Sequence, residues 1–180
     1  MRKMSLSVRD ICFISLFAAI IAVVSQLSIP MPYGVPMTMQ TFIIPLAGVI
    51  LGAKKGAVSV LVYVLVGAVG LPVFAGFSGG VGIIVGIRGG FIISFPVMAI
   101  TAGIGMGKNN ILWLVSWLAA GAVINFACGM LWFSIVMPAD LTTAFIACVL
   151  PFIPTCIVKI ILLTVMAKPV KRALVNTGRQ

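Results

Sequence analysis

Apolar residues fill this chain in long runs, and the breaks between the runs are made of proline, glycine and lysine. A helix that crosses a bilayer needs about 20 mostly apolar residues. On that template the pattern predicts six spans, at 11–29, 39–53, 56–75, 90–107, 111–136 and 143–167. Pro30 and Pro32 close the first, and Lys54-Lys55 separate the second from the third. Gly107-Lys108 ends the fourth, and Pro151 and Pro154 interrupt the sixth. The opening run, MRKMSLSVRDICFISLFAAIIAVV, has the basic start and apolar middle of a signal peptide. No small-residue cleavage site follows it and many spans do, so it reads as a retained first helix. The expected fold class is an all-α integral membrane protein. It has six transmembrane helices in a single membrane domain over 1–180, with a glycine-rich outer loop after the third.

Composition agrees with the pattern. Of 180 residues, 62% are hydrophobic and 8% charged, where a soluble domain carries about 25% charged residues. The charge itself is lopsided: 12 Lys+Arg against 2 Asp+Glu, a formal +10. Such a balance raises nucleic acid as a partner, but the cations are scattered between apolar runs instead of gathered in one patch. Membrane topology accounts for them better. Six spans put both termini on one side, together with Arg2, Lys3, Arg9, Lys54, Lys55, Lys108, Lys168, Lys171, Arg172 and Arg179. The positive-inside rule makes that side cytoplasmic. The expectation is a multi-pass plasma-membrane protein with a cytoplasmic N-terminal segment 1–10, a cytoplasmic tail 168–180, the lipid bilayer around it and no nucleic-acid partner.

The residue inventory excludes several function classes. There is no histidine or glutamate, and Asp10 and Asp140 fall at predicted membrane edges on opposite sides. No carboxylate pair, metal cluster or activated nucleophile can be assembled, so the chain is expected to be non-enzymatic, with no metal and no cofactor. GKNN at 107–110 lacks the upstream glycine and the following Ser/Thr of a phosphate loop. The four cysteines, Cys12, Cys128, Cys148 and Cys156, lie in apolar context without a CxxC pair and read as small packing residues. A solute-binding membrane protein with no visible energy source reads as a subunit of something larger.

Two cations break the topology. Lys159 sits within the sixth span between Val158 and Ile160, nine residues before Lys168. At 1.5 Å per residue that is about 13 Å, too far for comfortable snorkelling, so a role at a cavity or ligand is favoured. Arg88 lies in GFSGGVGIIVGIRGGF, 76–91, where it reads either as a carboxylate-binding arginine or as a solvated loop charge. Gln40, Tyr63 and Asn125 are polar groups within spans, free to bond a ligand or a neighbouring helix. Phe74, Phe77 and Phe91 flank the glycine stretch and read as ligand cover or as packing. Ser15-x-x-x-Ala19 and Ala18-x-x-x-Ala22 place small side chains where another helix can approach closely, inside or outside the chain.

Three stretches carry a resemblance. MTMQTFIIPLAGVILGAKKGAVSVLVYVLVGAVGLPVFAGFSGG (37–80), RGGFIISFPVMAI (88–100) and PFIPTCIVKI (151–160) are similar to the BioY family, the biotin-specific substrate-binding subunits of energy-coupling factor transporters. The resemblance implies high-affinity capture of biotin from outside, docking onto a transmembrane coupling protein with two cytoplasmic ATPases, and release inside as ATP hydrolysis topples the subunit. The expected substrate-binding set is Lys159, Arg88, Gln40, Tyr63, Phe74, Gly90, Asn125 and Cys156. The expected docking face is Ser15, Ala18, Ala19 and Ala22, with serine where the family usually has alanine. Two departures bear on the ligand. The family commonly reads P-G-D-x-x-K where this chain has Pro154-Thr155-Cys156-Ile157-Val158-Lys159, and G-P-T-G-G where it has Gly86-Ile87-Arg88-Gly89-Gly90. A biotin-related or other small carboxylate is therefore an alternative ligand. A transport-inactive paralogue and an autonomous channel are the alternatives outside that class.

Overall fold

The computed structural model describes residues 7–108 and 110–176. Arg2, Lys3 and Arg179 lie outside the described residues. The chain is all-α apart from a small ribbon: α1 (Val8–Val24), β1 (Ser28–Ile29), β2 (Met37–Thr38), α2 (Gln40–Leu51), α3 (Ala53–Ala68), α4 (Val81–Val85), α5 (Gly89–Met106), α6 (Ile111–Val136), α7 (Leu141–Cys148) and α8 (Ile153–Asn176). Among the described residues, three stretches are long and apolar enough to cross a membrane: α5, α6 and the run Leu141–Ala167 that takes in α7 and much of α8. The protein is thus a multi-pass membrane protein, and leucine, isoleucine and valine side chains cover its outside, as a lipid-facing surface requires.

Local chemistry sets the element ends. Ser7 caps α1 in a reciprocal box with Asp10, which also pairs with Lys55 Nζ at 2.6 Å. That pair puts the N-termini of α1 and α3 at the same end of the bundle. The Ser59 hydroxyl donates to the Ile14 carbonyl at 2.8 Å and ties the two helices further along. α1 stops at Val24, five residues before the end of the predicted span. The Ser25 hydroxyl bonds back to the Ile21 carbonyl at 2.6 Å, and the chain then turns into the ribbon, where Ser28 pairs with Thr38 and Ile29 with Met37. α3 also ends early, at Ala68. Gly70 has φ +112°, a conformation that side chains with a Cβ resist, and Pro72 follows.

The glycine-rich stretch is not one loop. Phe74 and Ser78 form a single antiparallel bridge, residues 81–85 coil as α4, and Gly89 and Gly90 open α5. The sixth apolar run divides as its prolines predict. α7 ends at Cys148, Val149 leaves helical geometry at φ −124°, and a 3-10 turn over Leu150–Phe152 leads into α8. Asp140 caps α7 by accepting from the Thr143 amide and hydroxyl. The hydroxyl bond, the larger influence, holds its carboxyl below the ordinary aspartate range.

α5 lies at the centre, packed on α2, α3 and α6. Just over half of it is buried (56%), against 28% and 22% of 18-residue apolar windows within α6 and within the Leu141–Ala167 run. The principal core joins residues of α1, α2, α3, α5, α6 and α8, among them Ile21, Ile44, Val60, Tyr63, Ala99, Leu118 and Leu163. A smaller cluster of Val35, Phe133, Ala144, Ala147 and Cys148 packs α7 against α6 and the segment after β1. Gly52 joins α2 to α3 at φ +80°, and Gly103 of α5 lies against the Gly52–Ala53 backbone. Lys54, Lys55 and the end of α5 before Lys108 therefore share the end that Asp10 marks. Arg88 starts α5 at the opposite end.

Candidate functional site

Near the Arg88 end the helices part around a cavity whose free space is about 650 Å³ when its open mouth is counted. Its walls come from distant parts of the chain: Val35 to Thr41, Phe74 and Ala75, the first turns of α5, Asn125 and Phe126 of α6, and Phe152 to Lys159 around the start of α8. Phe74, Phe91, Phe95, Phe126 and Phe152 give it aromatic walls within a mostly apolar lining. A second chamber, about 320 Å³ with its open space counted, adjoins it. Thr41, Asn125, Phe126, Cys156 and Lys159 line both, so they form the wall between the two.

Lys159 points into this region while its neighbours Ile157 and Val158 face outward. Its ammonium donates to the Thr38 carbonyl at 2.6 Å and to Thr41 Oγ1 at 2.8 Å. An ammonium has three donors, so one N–H remains. Gln40 is fixed by its neighbours: Thr38 Oγ1 donates to its Oε1 at 3.0 Å, and its Nε2 donates to the Tyr63 hydroxyl at 2.7 Å. Arg88 donates from Nε to the Gly34 carbonyl at 3.1 Å and from Nη1 to the Ala75 carbonyl at 3.4 Å. It is therefore not a freely solvated loop charge but a tie between two segments at the cavity mouth. Partial burial draws its guanidinium down from the ordinary value, yet an arginine stays charged in proteins. No aspartate or glutamate lines either chamber.

Six of the eight expected substrate-binding residues come together in the cavity wall: Lys159, Arg88, Gln40, Phe74, Asn125 and Cys156. Tyr63 and Gly90 do not. Tyr63 is 1% exposed and stands behind Gln40, with Phe74 packed edge-on against its ring at 5.5 Å, so it supports the wall. Gly90 packs α5 on α6, and a Cβ there would meet the Cys128 carbonyl and the Trp132 side chain. Phe77 is 74% exposed and outside the cavity, whereas Phe91 lines it. Of the cysteines read as packing residues, Cys148 is buried, Cys156 lines the cavity, and Cys12 and Cys128 are exposed. On α1, Ser15 and Ala19 are exposed and Ala22 is half-buried, but Ala18 is buried in the core. The outward small-residue face is thus the Ser15–Ala19 pair with Ala22 at its margin.

Sequence reasoning passed over Thr41, Phe95, Phe126, Phe152 and Thr155. A threonine or phenylalanine in an apolar run carries no sign of which way it faces. Among the described residues, no group of three His, Cys, Asp or Glu could hold a metal ion.

The Arg88 tie is open to test. Arg88→Ala is expected to raise amide exchange across residues 31–36, followed by hydrogen–deuterium exchange mass spectrometry, and to leave the middle of α5 unchanged. Unchanged exchange at 31–36 would show that this segment holds its place without the guanidinium.

Comparison with known proteins places these features in a family. A model of the BioY family matches residues 1–176. A probable biotin transporter BioY of Pyrococcus horikoshii is 41% identical over 151 residues, covering 84% of this chain and 89% of that protein. The biotin transporter BioY of Thermotoga maritima is 33% identical over 165 residues, covering 91% and 96%. A crystal structure of the S-component for biotin from an ECF-type ABC transporter superposes with a TM-score of 0.85 at 25% identity, covering 96% of this chain and 95% of that one.

Proposed function

Because this chain belongs to the BioY family, we propose that it captures biotin from outside the cell as the substrate-binding subunit of an ATP-driven vitamin uptake transporter. One observation carries the reading at the site: an aromatic cavity holds two cations, Lys159 and Arg88, and no acid. Biotin is a compact bicycle with a carboxylate tail. Phenyl walls suit the bicycle. Arg88 uses two of its five N–H groups on Gly34 and Ala75, which leaves three to meet a carboxylate. Lys159 has one donor left for a polar group of the ligand.

The same reading assigns the topology. α1, α2, α3, α5, α6 and the α7–α8 run are six passes of one membrane domain. The end with Arg9, Lys54, Lys55 and Lys108 faces the cytoplasm, both termini with it, and the cavity opens outward. The exposed Ser15–Ala19 pair on α1, with Ala22, meets the transmembrane coupling protein, because small residues let a partner helix come close. Two cytoplasmic ATPases supply the energy, as this chain has no phosphate loop. The absence of an acid at Cys156 and the presence of Arg88 favour a second reading on the same scaffold, a biotin-related or other small carboxylate.

Equilibrium binding of biotin to the purified, detergent-solubilised chain tests the proposal. Saturable binding at nanomolar concentration is expected. No binding up to about 100 μM, a free energy weaker than roughly −5.5 kcal/mol, would overturn the biotin assignment and leave the other carboxylates to be screened. Cys156 lies one helical turn before Lys159, so Cys156→Asp restores a strong acceptor beside the ligand. It is expected to tighten biotin binding by roughly tenfold or more, read in the same titration. Equal affinity would place residue 156 outside the ligand's polar contacts.

A further inference from the structure

Three buried side-chain atoms among the described residues have no hydrogen-bond partner: Trp113 Nε1, Asn125 Oδ1 and Ser134 Oγ. Of these residues, Asn125 lines both chambers, and Trp113 and Ser134 line neither. Asn125 is 1% exposed. Its amide cannot be turned round without loss. Nδ2 donates to the Phe91 carbonyl at 3.1 Å and to Ser94 Oγ at 2.8 Å, and that hydroxyl is itself bonded to the Gly90 and Phe91 carbonyls at 2.9 Å each. A flipped amide would set Oδ1 against the Phe91 carbonyl, oxygen to oxygen. α5 therefore holds both amide protons and leaves Oδ1, buried in a residue that lines both chambers, with no donor. An unmet buried acceptor carries a deficit equal to roughly 5- to 150-fold in an equilibrium constant, so a donor that reaches it is rewarded.

Of the other side-chain oxygens in the wall, none is buried without a hydrogen bond: Thr38 Oγ1 receives the Gln40 backbone amide, and Thr155 Oγ1 donates to the Phe152 carbonyl. Gln40 Oε1 receives the Thr38 hydroxyl, and Thr41 Oγ1 receives Lys159. Cys156 is a poor acceptor. We infer that Asn125 Oδ1 is the acceptor that reads an N–H group of the ligand, with the remaining N–H of Lys159 given to the carbonyl beside it. The cavity then selects an amide-like edge, an N–H next to a C=O, and it does so without the acid that position 156 lacks. This rests on the biotin reading: the ureido ring of biotin carries such an edge, and Asn125 is the residue of this chain that discriminates it.

The test is a cycle between ligand and protein. Biotin is compared with its two carbocyclic analogues, in each of which one ureido N–H is replaced by CH₂ at constant ring size, in the natural chain and in Asn125→Leu. The natural chain is expected to bind one analogue at least tenfold more weakly than biotin. Asn125→Leu is expected to bind biotin at least tenfold more weakly than the natural chain does, and to bind biotin and that analogue within about twofold of each other. Discrimination that survives in Asn125→Leu, or equal binding of all three ligands by the natural chain, would overturn the assignment while leaving biotin capture intact. The second result needs no variant, so it stands if Asn125→Leu does not fold. If the natural chain fails to bind biotin at all, the functional proposal and this inference fall together.

Discussion

Lys159→Ala is expected to bind biotin roughly 10- to 150-fold more weakly than the natural chain. The figure follows from losing a buried hydrogen bond to a charged group, worth about 1.5–3 kcal/mol. The sign follows from what surrounds the ammonium. Its bonds to the Thr38 carbonyl and Thr41 Oγ1 hold it against the start of α2, and no carboxylate lines the cavity to neutralise it. A ligand that brings a carbonyl or an anion supplies the missing partner. Both bonds to the α2 end go with the ammonium, and the alanine variant also removes the packing of the stem, so Lys159→Met, which keeps most of the stem, separates packing from the ammonium's bonds. Both variants are expected to lose affinity by similar factors in a titration of the purified protein. If Lys159→Met binds as the natural chain does, the lysine serves only as a spacer.

Gly48→Leu is expected to leave no monodisperse protein after solubilisation. α2, α3 and α5 meet backbone to backbone. A Cβ on Gly48 would run into the carbonyl of Ala99, with the carbonyl carbon at 2.9 Å, and a Cβ on Gly56 would come within 2.7 Å of Gly48 Cα. Main chain in a helix cannot step aside as a side chain can. Gly48→Ala adds only that one carbon and is expected to cost about 1–3 kcal/mol, a fall of roughly 2–12 °C in melting temperature. Gly82→Ala in α4 is the matching control, because nothing lies within 4 Å of its Cβ position. Size-exclusion profiles and melting curves of the three variants decide the matter. A stable, monodisperse Gly48→Leu would mean that α2 and α5 are not in the contact described.

The residues most legible from sequence were those out of keeping with their surroundings. A lysine among isoleucines has few reasons to be there, and Lys159 lies in the cavity wall. Asn125 and Gln40 were visible for the same reason. Tyr63 had the same polarity but stands one layer back, since polarity alone does not tell a ligand contact from the group that steadies it. Gly90 drew notice as part of a glycine-rich stretch. Its role is helix contact, which depends on Cys128 and Trp132, 38 and 42 positions later. The apolar runs marked where helices lie, but α1 and α3 stop short of their predicted ends because Ser25 and Gly70 redirect the backbone within still apolar sequence. The β1–β2 ribbon, two residues to a strand, is too short to leave a periodic signal. Of the aromatic walls, Phe74 and Phe91 were anticipated beside the glycine stretch, while Phe95, Phe126 and Phe152 were hidden. In a chain this apolar, inward and lipid-facing phenylalanines look alike.

The cavity draws its walls from residue 35 to residue 159, and Lys159 bridges 121 positions to reach Thr38. An occupant is therefore a clasp between the two halves of the chain, and unfolding must expel it. A ligand present at a thousand times its dissociation constant adds about 4 kcal/mol to the folded state. The protein is accordingly its own reporter: heat and a protease rank candidate vitamins by how long the chain survives, with no label on the ligand and no transport to reconstitute.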